Sequence, residues 1–557
     1  MSGQHNKLTW LLILVVGFLT VSPVFMLIVG SFSEGLTVSG DFTLSKYISA
    51  YADPDLFEVL WNTVIFVSGS SLFAVMLALF LAYISVRTDM PFRFLFKIIP
   101  VIPLMIPHVL FTISWAMLLN PSNGILNLLL RQLFNLQSSP FNIYTMSGMI
   151  LVEGLLDMPI AYLVISPAMA SFDASLEESS RVSGAGRLLT LTRITLPVLR
   201  PAILAAFILC VIRCLASFAV PAVMGMRGRI HVLTTHLYRM ISTGFQADYG
   251  KAAAIGVSVL VTSIILIYVY RYFTSASERF VTVSSRGYKP SIIELKNAKA
   301  PIFVILLLIL SVLIVLPVLV LIYISLIPYS MVPSARAFSM MSLRNWIIVL
   351  NDPLSLKALK NSLFLGVTGA TLGVILSIFV AYVIVKARTK SSGLLESLSF
   401  LSFSFPGIVI GVGFMWFFVR TPLYATIWAL LIGYIATYLP YGIRPLSSAF
   451  TQIHNHLEES SYVAGASFLT TFGKIIVPLL VPGIVSGWIL MATMLFRELS
   501  LSVILSRPGS EVLAVQILRF AEDGQWGRLS ALGIIMIALS TLLVTLVNFI
   551  GARIKST

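Results

Sequence analysis

Charge is the scarcest commodity in this chain. Only 11% of its 557 residues are Asp, Glu, Lys or Arg, where a soluble globular domain carries about 25%. That excludes a large water-solvated domain. The two cysteines, Cys210 and Cys214, exclude a disulfide framework. They stand one helical turn apart inside an apolar run and read as small packing groups, since no further ligand lies near them in sequence to complete a metal site. No Gly-x-x-x-x-Gly-Lys-[Ser/Thr] phosphate loop is present: Gly250-Lys251 and Gly473-Lys474 lack both the upstream glycine and the following hydroxyl residue, so the chain holds no nucleotide site of this type. The net charge of +15 is not spread through basic segments interleaved with aromatics, which removes nucleic-acid binding and leaves basic loops facing anionic lipid.

What the chain has instead is apolar sequence. Its hydrophobic fraction is 58% and its mean hydropathy +0.97. A membrane-spanning helix needs about 20 mainly apolar residues, and twelve runs qualify. They are 8–31, 60–86, 98–119, 144–170, 200–222 and 252–273, then 302–327, 361–386, 398–419, 425–449, 482–505 and 529–550. The first run is too long for a signal-peptide core and has no small-residue cleavage pattern, so it reads as an uncleaved span. The fold class is therefore all-α and polytopic, with about 12 transmembrane helices. Residues 1–273 form a first half, the polar stretch 274–300 with Arg279, Arg286, Lys289, Lys296 and Lys299 a cytoplasmic linker, and 301–557 a second half.

The halves repeat each other. Glu178-Ser-Ser-x-x-x-Gly184 followed by Ile194-x-Leu196-Pro197 returns as Glu459-Ser-Ser-x-x-x-Gly465 followed by Ile475-x-Val477-Pro478, every position shifted by 281. Asn62, Ala82-Tyr83 and Pro107 return at an offset of 299 as Asn361, Ala381-Tyr382 and Pro406. The drop of 18 between the offsets (299 − 281) places a longer loop around Asn120 to Tyr144 in the first half. An even number of spans per half makes the repeat parallel, whereas the inverted repeats common in secondary transporters need an odd number. Placing the N-terminus in the cytoplasm puts Arg87, Arg93, Lys97, Lys386 and Arg388 inside with both repeated loops. Arg227, Arg229, Arg239, Arg336, Arg344, Lys357 and Lys360 then fall outside.

Each loop, 173–197 and 454–478, opens with helix-forming residues and acids suited to a helix N-terminus. A glycine then permits a sharp bend, and a proline enters the first turn of the next helix. The expected product is a short helix lying across the membrane surface, either an ordinary connector copied by gene duplication or a docking point for a soluble partner, one per half. The pattern resembles the "EAA" loop of permease subunits of binding-protein-dependent ABC importers, with Ser-Ser in place of Ala-Ala and Val477 in place of Leu. In that family the loop is the helix that couples the permease to its ATPase. The resemblance implies that Glu178, Gly184, Glu459 and Gly465 carry this role. It also implies two copies of an ATPase subunit that binds ATP and Mg, a periplasmic solute-binding protein, and a bacterial inner-membrane location. It implies no enzyme activity and no cofactor in this chain. Arg497-Glu498-Leu-Ser with Ser506-Arg-Pro-Gly509, and Ser217-Phe-Ala-Val-Pro221, resemble the fused ferric-iron permeases. Thiamine, phosphonate and polyamine permeases share much of the framework.

Ionisable residues within a span usually face a cavity or a partner. Glu153 and Asp157 stand one turn apart in the fourth run, Arg213 lies midway along the fifth, and Arg497 and Glu498 lie in the eleventh. They are candidates for a translocation path or gate, or else for structural ion pairs such as Asp157 with Arg213. A metal site in the permease is left open, since no ligand cluster is visible in sequence. The rival class is an ion-coupled secondary transporter using Asp157 or Glu153 as its proton site, against which the parallel repeat and the twin loops both count.

Overall fold

The computed structural model describes residues 2–33, 42–171, 174–242, 247–278, 292, 294–402 and 405–556. The linker's centre, with Arg279, Arg286 and Lys289, and Asp173 at the start of the first loop lie outside the described residues. The regular structure among the described residues is helical. The elements that position the repeated loops are α1 (Ser2–Ser31), α2 (Pro54–Arg87), α3 (His108–Leu119), α4 (Met146–Ala170), α5 (Ala174–Val182) and α6 (Leu196–Ala216). They continue with α7 (Lys299–Leu310), α8 (Leu316–Leu326), α9 (Pro353–Tyr382), α10 (Gly407–Phe418), α11 (Ile427–Gln452), α12 (Asn455–Val463) and α13 (Val477–Phe496).

Nine helices among the described residues are long and apolar enough to cross a membrane, or ten if the bent pair Arg93–Leu104 and His108–Leu119 is one span. The expected count of twelve is thus not reached by length and composition. Proline supplies part of the reason. Pro107 and Pro406, matched in the repeat, cap the N-termini of α3 and α10 with extended ψ angles of 131° and 136°. Each leaves a helix of only 12 residues, too short to span alone. α11 is long enough at 26 residues, but Tyr434, Tyr438, Tyr441 and Arg444 dilute its apolar run.

The chain forms two compact units, Met1–Asp53 with Leu237–Leu260 and Arg344–Thr557, and Pro54–His236 with Val261–Leu343. In the second of these, α2, α4 and α6 pack together, with Ala74, Ala78, Met158, Ile165, Leu199 and Ala206 fully or nearly fully buried. Leu306, Leu310 and Ile314, from the first span of the other sequence half, complete the same core. Asp89 fixes that span at its start, accepting from the Leu295 amide at 2.9 Å and from Lys299 Nζ at 2.9 Å. In the first unit α9, α11 and α13 repeat the arrangement, and α1 packs on α10. The approach is close: a Cβ on Gly413 would come within 2.3 Å of the Pro23 carbonyl. Within each unit, then, the opening span of one sequence half packs on helices of the other.

Candidate functional site

Both repeated loops fold alike, and the sequence dictates each step. α5 and α12 are followed by Gly184 (φ +86°) and Gly465 (φ +82°). Nothing lies within 4 Å of where either Cβ would be. Glycine is required for the left-handed backbone, which costs other residues about 1–2 kcal/mol. The Ala185 amide then bonds the Ser180 carbonyl at 3.1 Å, and the Ala466 amide bonds the Ser461 carbonyl at 3.1 Å. One wide π-type turn follows in each copy, Leu191–Thr195 and Phe472–Ile476, and Pro197 and Pro478 enter the first turn of the next helix. The second serine of each Glu-Ser-Ser braces the bend. Ser180 Oγ meets Thr190 Oγ1 at 3.0 Å, and Ser461 Oγ meets Thr471 Oγ1 at 2.8 Å.

The glutamate before the motif, not singled out by sequence reasoning, is the anchor. Glu177 is buried and pairs with Arg87 Nη2 at 3.3 Å, while Thr195 Oγ1 donates to it at 2.7 Å. Its counterpart Glu458 pairs with Lys386 Nζ at 3.8 Å and accepts from Tyr382 OH at 3.2 Å. Both partners recur: 177 + 281 = 458, and 87 + 299 = 386. Each short helix is therefore tied by an ion pair to the end of the long helix beside it. The paired glutamates, Glu177-Glu178 and Glu458-Glu459, were the available signal, but the cation lies 90 residues upstream in the first copy (177 − 87) and 72 in the second (458 − 386), and only the fold brings it near.

The outward faces match as well. Glu178 and Glu459 are exposed, and Glu459 Oε2 lies 3.1 Å from His456 Nδ1. Val182 and Val463 are 89% and 90% exposed, and Leu176 and Leu457 are 45% and 44% exposed. Burying a valine fully is worth about 1.5–3 kcal/mol, and each loop leaves one exposed beside an acid. The loops differ underneath. Phe468, Phe472 and Tyr382 cluster below the second, with Phe472 stacked on Phe379 at 5.4 Å and the His5 ring edge-on to Tyr382 at 5.9 Å. The first loop has Arg187 and Leu191 at the positions of Phe468 and Phe472. Burial and the nearby Glu458 carboxylate push the Tyr462 hydroxyl's pKa above its usual value.

The intramembrane charges resolve into two clasps. In the unit containing α4 and α6, Arg213 Nε bonds Asp157 Oδ1 at 2.9 Å, Cys214 Sγ donates to Asp157 Oδ2 at 3.1 Å, and Ser217 Oγ donates to Glu153 Oε2 at 2.7 Å. Arg213 falls in the last turn of α6, not midway along it. Cys214 is thus a hydrogen-bond donor as well as a packing group. Glu153, Asp157 and Cys214 bring three potential ligand atoms within 4.8 Å, a cluster invisible in sequence because α4 and α6 each supply part of it. Asp157 is already held by Arg213 and Cys214, and Glu153 by Ser217.

In the other unit Arg497 and Glu498 do not lie mid-span: α13 ends at Phe496 and Arg497 caps it. Glu498 is buried in the break, accepting from Tyr438 OH and from the Leu501 amide, the latter at 2.6 Å. Tyr434 OH pairs with Ser502 Oγ at 2.6 Å. Ser217 and Glu498 are repeat-equivalent (217 + 281 = 498), while their partners on the fourth span stand one turn apart in the repeat, Glu153 mapping to Tyr434 (153 + 281) and Asp157 to Tyr438 (157 + 281). Both halves still join the fourth span to the break after the fifth by a carboxylate and a hydroxyl. The acid sits on the fourth span in one half and in the break in the other.

Twin loops of matching backbone geometry, each pinned to a membrane span and exposing apolar surface, mark a duplicated membrane protein. Residues 72–278 and 373–556 match the model of the binding-protein-dependent transport system inner membrane component, and the chain belongs to that family. It is 26% identical over 549 residues to the ferric transport system permease protein FbpB of Actinobacillus pleuropneumoniae, covering 97% of this chain and 77% of the relative. It is 23% identical over 545 residues to the Fe(3+)-transport system permease protein FbpB 2 of Haemophilus influenzae, covering 97% of each. The spermidine/putrescine permease PotC of Haemophilus influenzae is 28% identical over 38% of this chain and 82% of the relative. Among solved structures, a bacterial alginate ABC importer covers 49% of this chain and 95% of its own at 19% identity and a TM-score of 0.38.

Proposed function

We propose that this importer permease carries ferric iron, received from a soluble binding protein, across a bacterial inner membrane with its N-terminus in the cytoplasm. The two repeated loops each seat in one copy of an ATPase subunit, through Glu178, Gly184, Val182 and Leu176 in the first and Glu459, Gly465, Val463 and Leu457 in the second. ATP-driven closure of the ATPase pair pulls both loops inward and opens the opposite side to the loaded binding protein; hydrolysis resets the cycle. The observation that carries this reading is the duplicated loop geometry, down to the matched ion pairs Arg87–Glu177 and Lys386–Glu458. Iron as substrate is supported by the names of the relatives that match nearly the whole chain. The clasps at Glu153–Ser217 and Tyr438–Glu498 hold the broken spans that line the path.

Native mass spectrometry of the purified complex tests the stoichiometry, with two ATPase copies per permease expected. A ratio of one, or no ATPase, removes the coupling role of the twin loops. Proteoliposomes containing the complex and its binding protein then take up radioactive ferric iron but not spermidine, thiamine or phosphonate. Uptake of one of those compounds in place of iron replaces the substrate while leaving the importer class intact.

A further inference from the structure

The ends of α2 and α9 remote from the loops carry opposite charge. α2 begins Pro54-Asp55-Leu-Phe-Glu58-Val-Leu-Trp61-Asn62, and α9 begins Pro353-Leu-Ser-Leu-Lys357-Ala-Leu-Lys360-Asn361. At the repeat offset of 299, Asp55 becomes Leu354, Glu58 becomes Lys357 and Trp61 becomes Lys360. Glu58, Lys357 and Lys360 are exposed. The opposite end of α2 carries Arg87, which grips Glu177, and the continuation of α9 carries Lys386, which grips Glu458. The helices are 34 and 30 residues long, roughly 45–50 Å at 1.5 Å per residue. Each charged start therefore lies across the membrane from its own coupling loop.

The basic end is built up further. The exposed Arg344 opens the helix Arg344–Asn351 just before α9. Beside the start of α9 is a recess of about 390 Å³, walled by Ile348, Val349, Asp352, Pro353, Phe520 and Arg528. The Asp352 carboxylate is occupied as the helix cap, accepting from the Ser355 amide at 3.0 Å and from Ser355 Oγ at 2.6 Å. Glu511 is buried and accepts from the Gly509 amide at 2.9 Å. Glu522 and Asp523 are exposed acids that follow Phe520. Arg528 lines the recess together with Asp352, and the exposed acids Glu522 and Asp523 lie close in sequence, so the excess positive charge is at the start of α9 itself, on the exposed Lys357 and Lys360.

We propose that the cationic start of α9 receives an acidic lobe of the soluble solute-binding protein, and that the reversed charge at the start of α2 bars the partner from docking the other way round. The inference rests on the importer reading. A permease made of two like halves offers a two-lobed partner two orientations, and juxtaposing like charges is an efficient way to reject one of them. Lipid does not account for the pattern. If both loops meet the ATPase, both helix starts meet the same leaflet, and its headgroups would favour the same sign of charge at each.

The test uses the permease–ATPase complex in phosphatidylcholine nanodiscs and the purified binding protein of the same transport system, with ATPase stimulation as the readout. In the double variant Lys357→Glu/Lys360→Glu, the binding-protein concentration giving half-maximal stimulation rises about tenfold or more at low salt, and its dependence on ionic strength flattens, as expected for lost complementary charge. Lys357→Arg/Lys360→Arg keeps the wild-type value. An unchanged half-maximal concentration and salt dependence in the Glu variant overturns the proposal. So does an effect that appears only when phosphatidylglycerol is added to the nanodiscs, which would make the patch a lipid site. A wild-type complex that no binding protein stimulates refutes the importer reading itself.

Discussion

Removing Arg87 should uncouple the first loop more severely than removing Lys386 uncouples the second. The Arg87 side chain is fully buried and that of Glu177 is 11% exposed. Arg87→Ala leaves the Glu177 carboxylate with Thr195 Oγ1 as its remaining hydrogen-bond donor in this network. Breaking a buried ion pair by deleting one partner costs about 3–5 kcal/mol. Because the loop lies at the surface and water can reach the vacated space, we take the lower bound, about 3 kcal/mol, or roughly a hundredfold shift in the docked-to-undocked ratio of α5. Lys386 sits 3.8 Å from Glu458, which keeps its hydrogen bond from Tyr382. The Lys386 and Glu458 side chains are 6% and 12% exposed, so this pair is about as buried as the first, but it is longer and Lys386 also donates to Asn455 Oδ1 at 2.7 Å. The loss of the pair itself should cost about 1 kcal/mol, the net worth of a typical hydrogen bond. Arg87→Lys copies the second half and should be close to wild type. Hydrogen–deuterium exchange reports on the amides of residues 174–182 and 455–463, and binding-protein-stimulated ATPase reports on coupling. Equal effects of Arg87→Ala and Lys386→Ala, or a larger effect of the second, would refute the view that the closeness of the pair, 3.3 Å against 3.8 Å, sets the stiffness of the loop.

Glu498→Gln keeps the shape of the clasp and removes its charge. Transport and basal ATPase should change more than the yield of folded protein; loss of yield with normal transport by the surviving protein would mark Glu498 as structural. Asp89 has its pKa pulled below the usual carboxylate value of 3.8 by Lys299 and then by the Leu295 amide. Its folded-state pKa is depressed, so the tether it makes to Leu295 and Lys299 is fully present above pH 4 and is lost only as pH falls through that lowered value. Exchange protection of the Leu295 amide should therefore persist to pH 4 and vanish throughout the pH range in Asp89→Ala; loss of protection already at pH 5 to 6 in the wild type would contradict the assigned cause.

The bends of the repeated loops were legible because their information is local. A glycine at a fixed distance from an acid pair, and a proline at the next helix start, state the bend and the restart without help from the rest of the chain. Gly184 and Gly465 fall in the left-handed region as that reading requires. The anchors were not legible. Arg87 reads as an inside-positive loop residue until the fold sets it against Glu177, and Cys214 reads as packing until α4 brings up Asp157. The apolar runs do not map one to one onto long helices for a related reason. Hydropathy ran across Pro107 and Pro406 as though helices were continuous, whereas each proline ends one segment and caps the next.

The two clasps show what duplication holds fixed and what it releases. A hydrogen bond between the fourth span and the break after the fifth is kept in both halves, because an unpaired polar group at that depth costs about 1–3 kcal/mol. Which side supplies the acid is free, since the bond needs one donor and one acceptor in either order. Where the acid is on α4, it stands one turn from a second acid, Asp157, and that pair of like charges calls for a cation; Arg213 provides it at 2.9 Å. Where the acid is Glu498, the residues at the positions of Glu153 and Asp157 are Tyr434 and Tyr438, so no second carboxylate is present and a phenol and a backbone amide suffice. The repeat-equivalent of Arg213 is accordingly Met494 (213 + 281), an apolar residue. A cation at this position of the fifth span is present only in the half that has two acids on the fourth; in the other half the cation is Arg497, beside Glu498 in the break. That is the outcome expected if these charges first satisfy one another and act on the path through the breaks they hold.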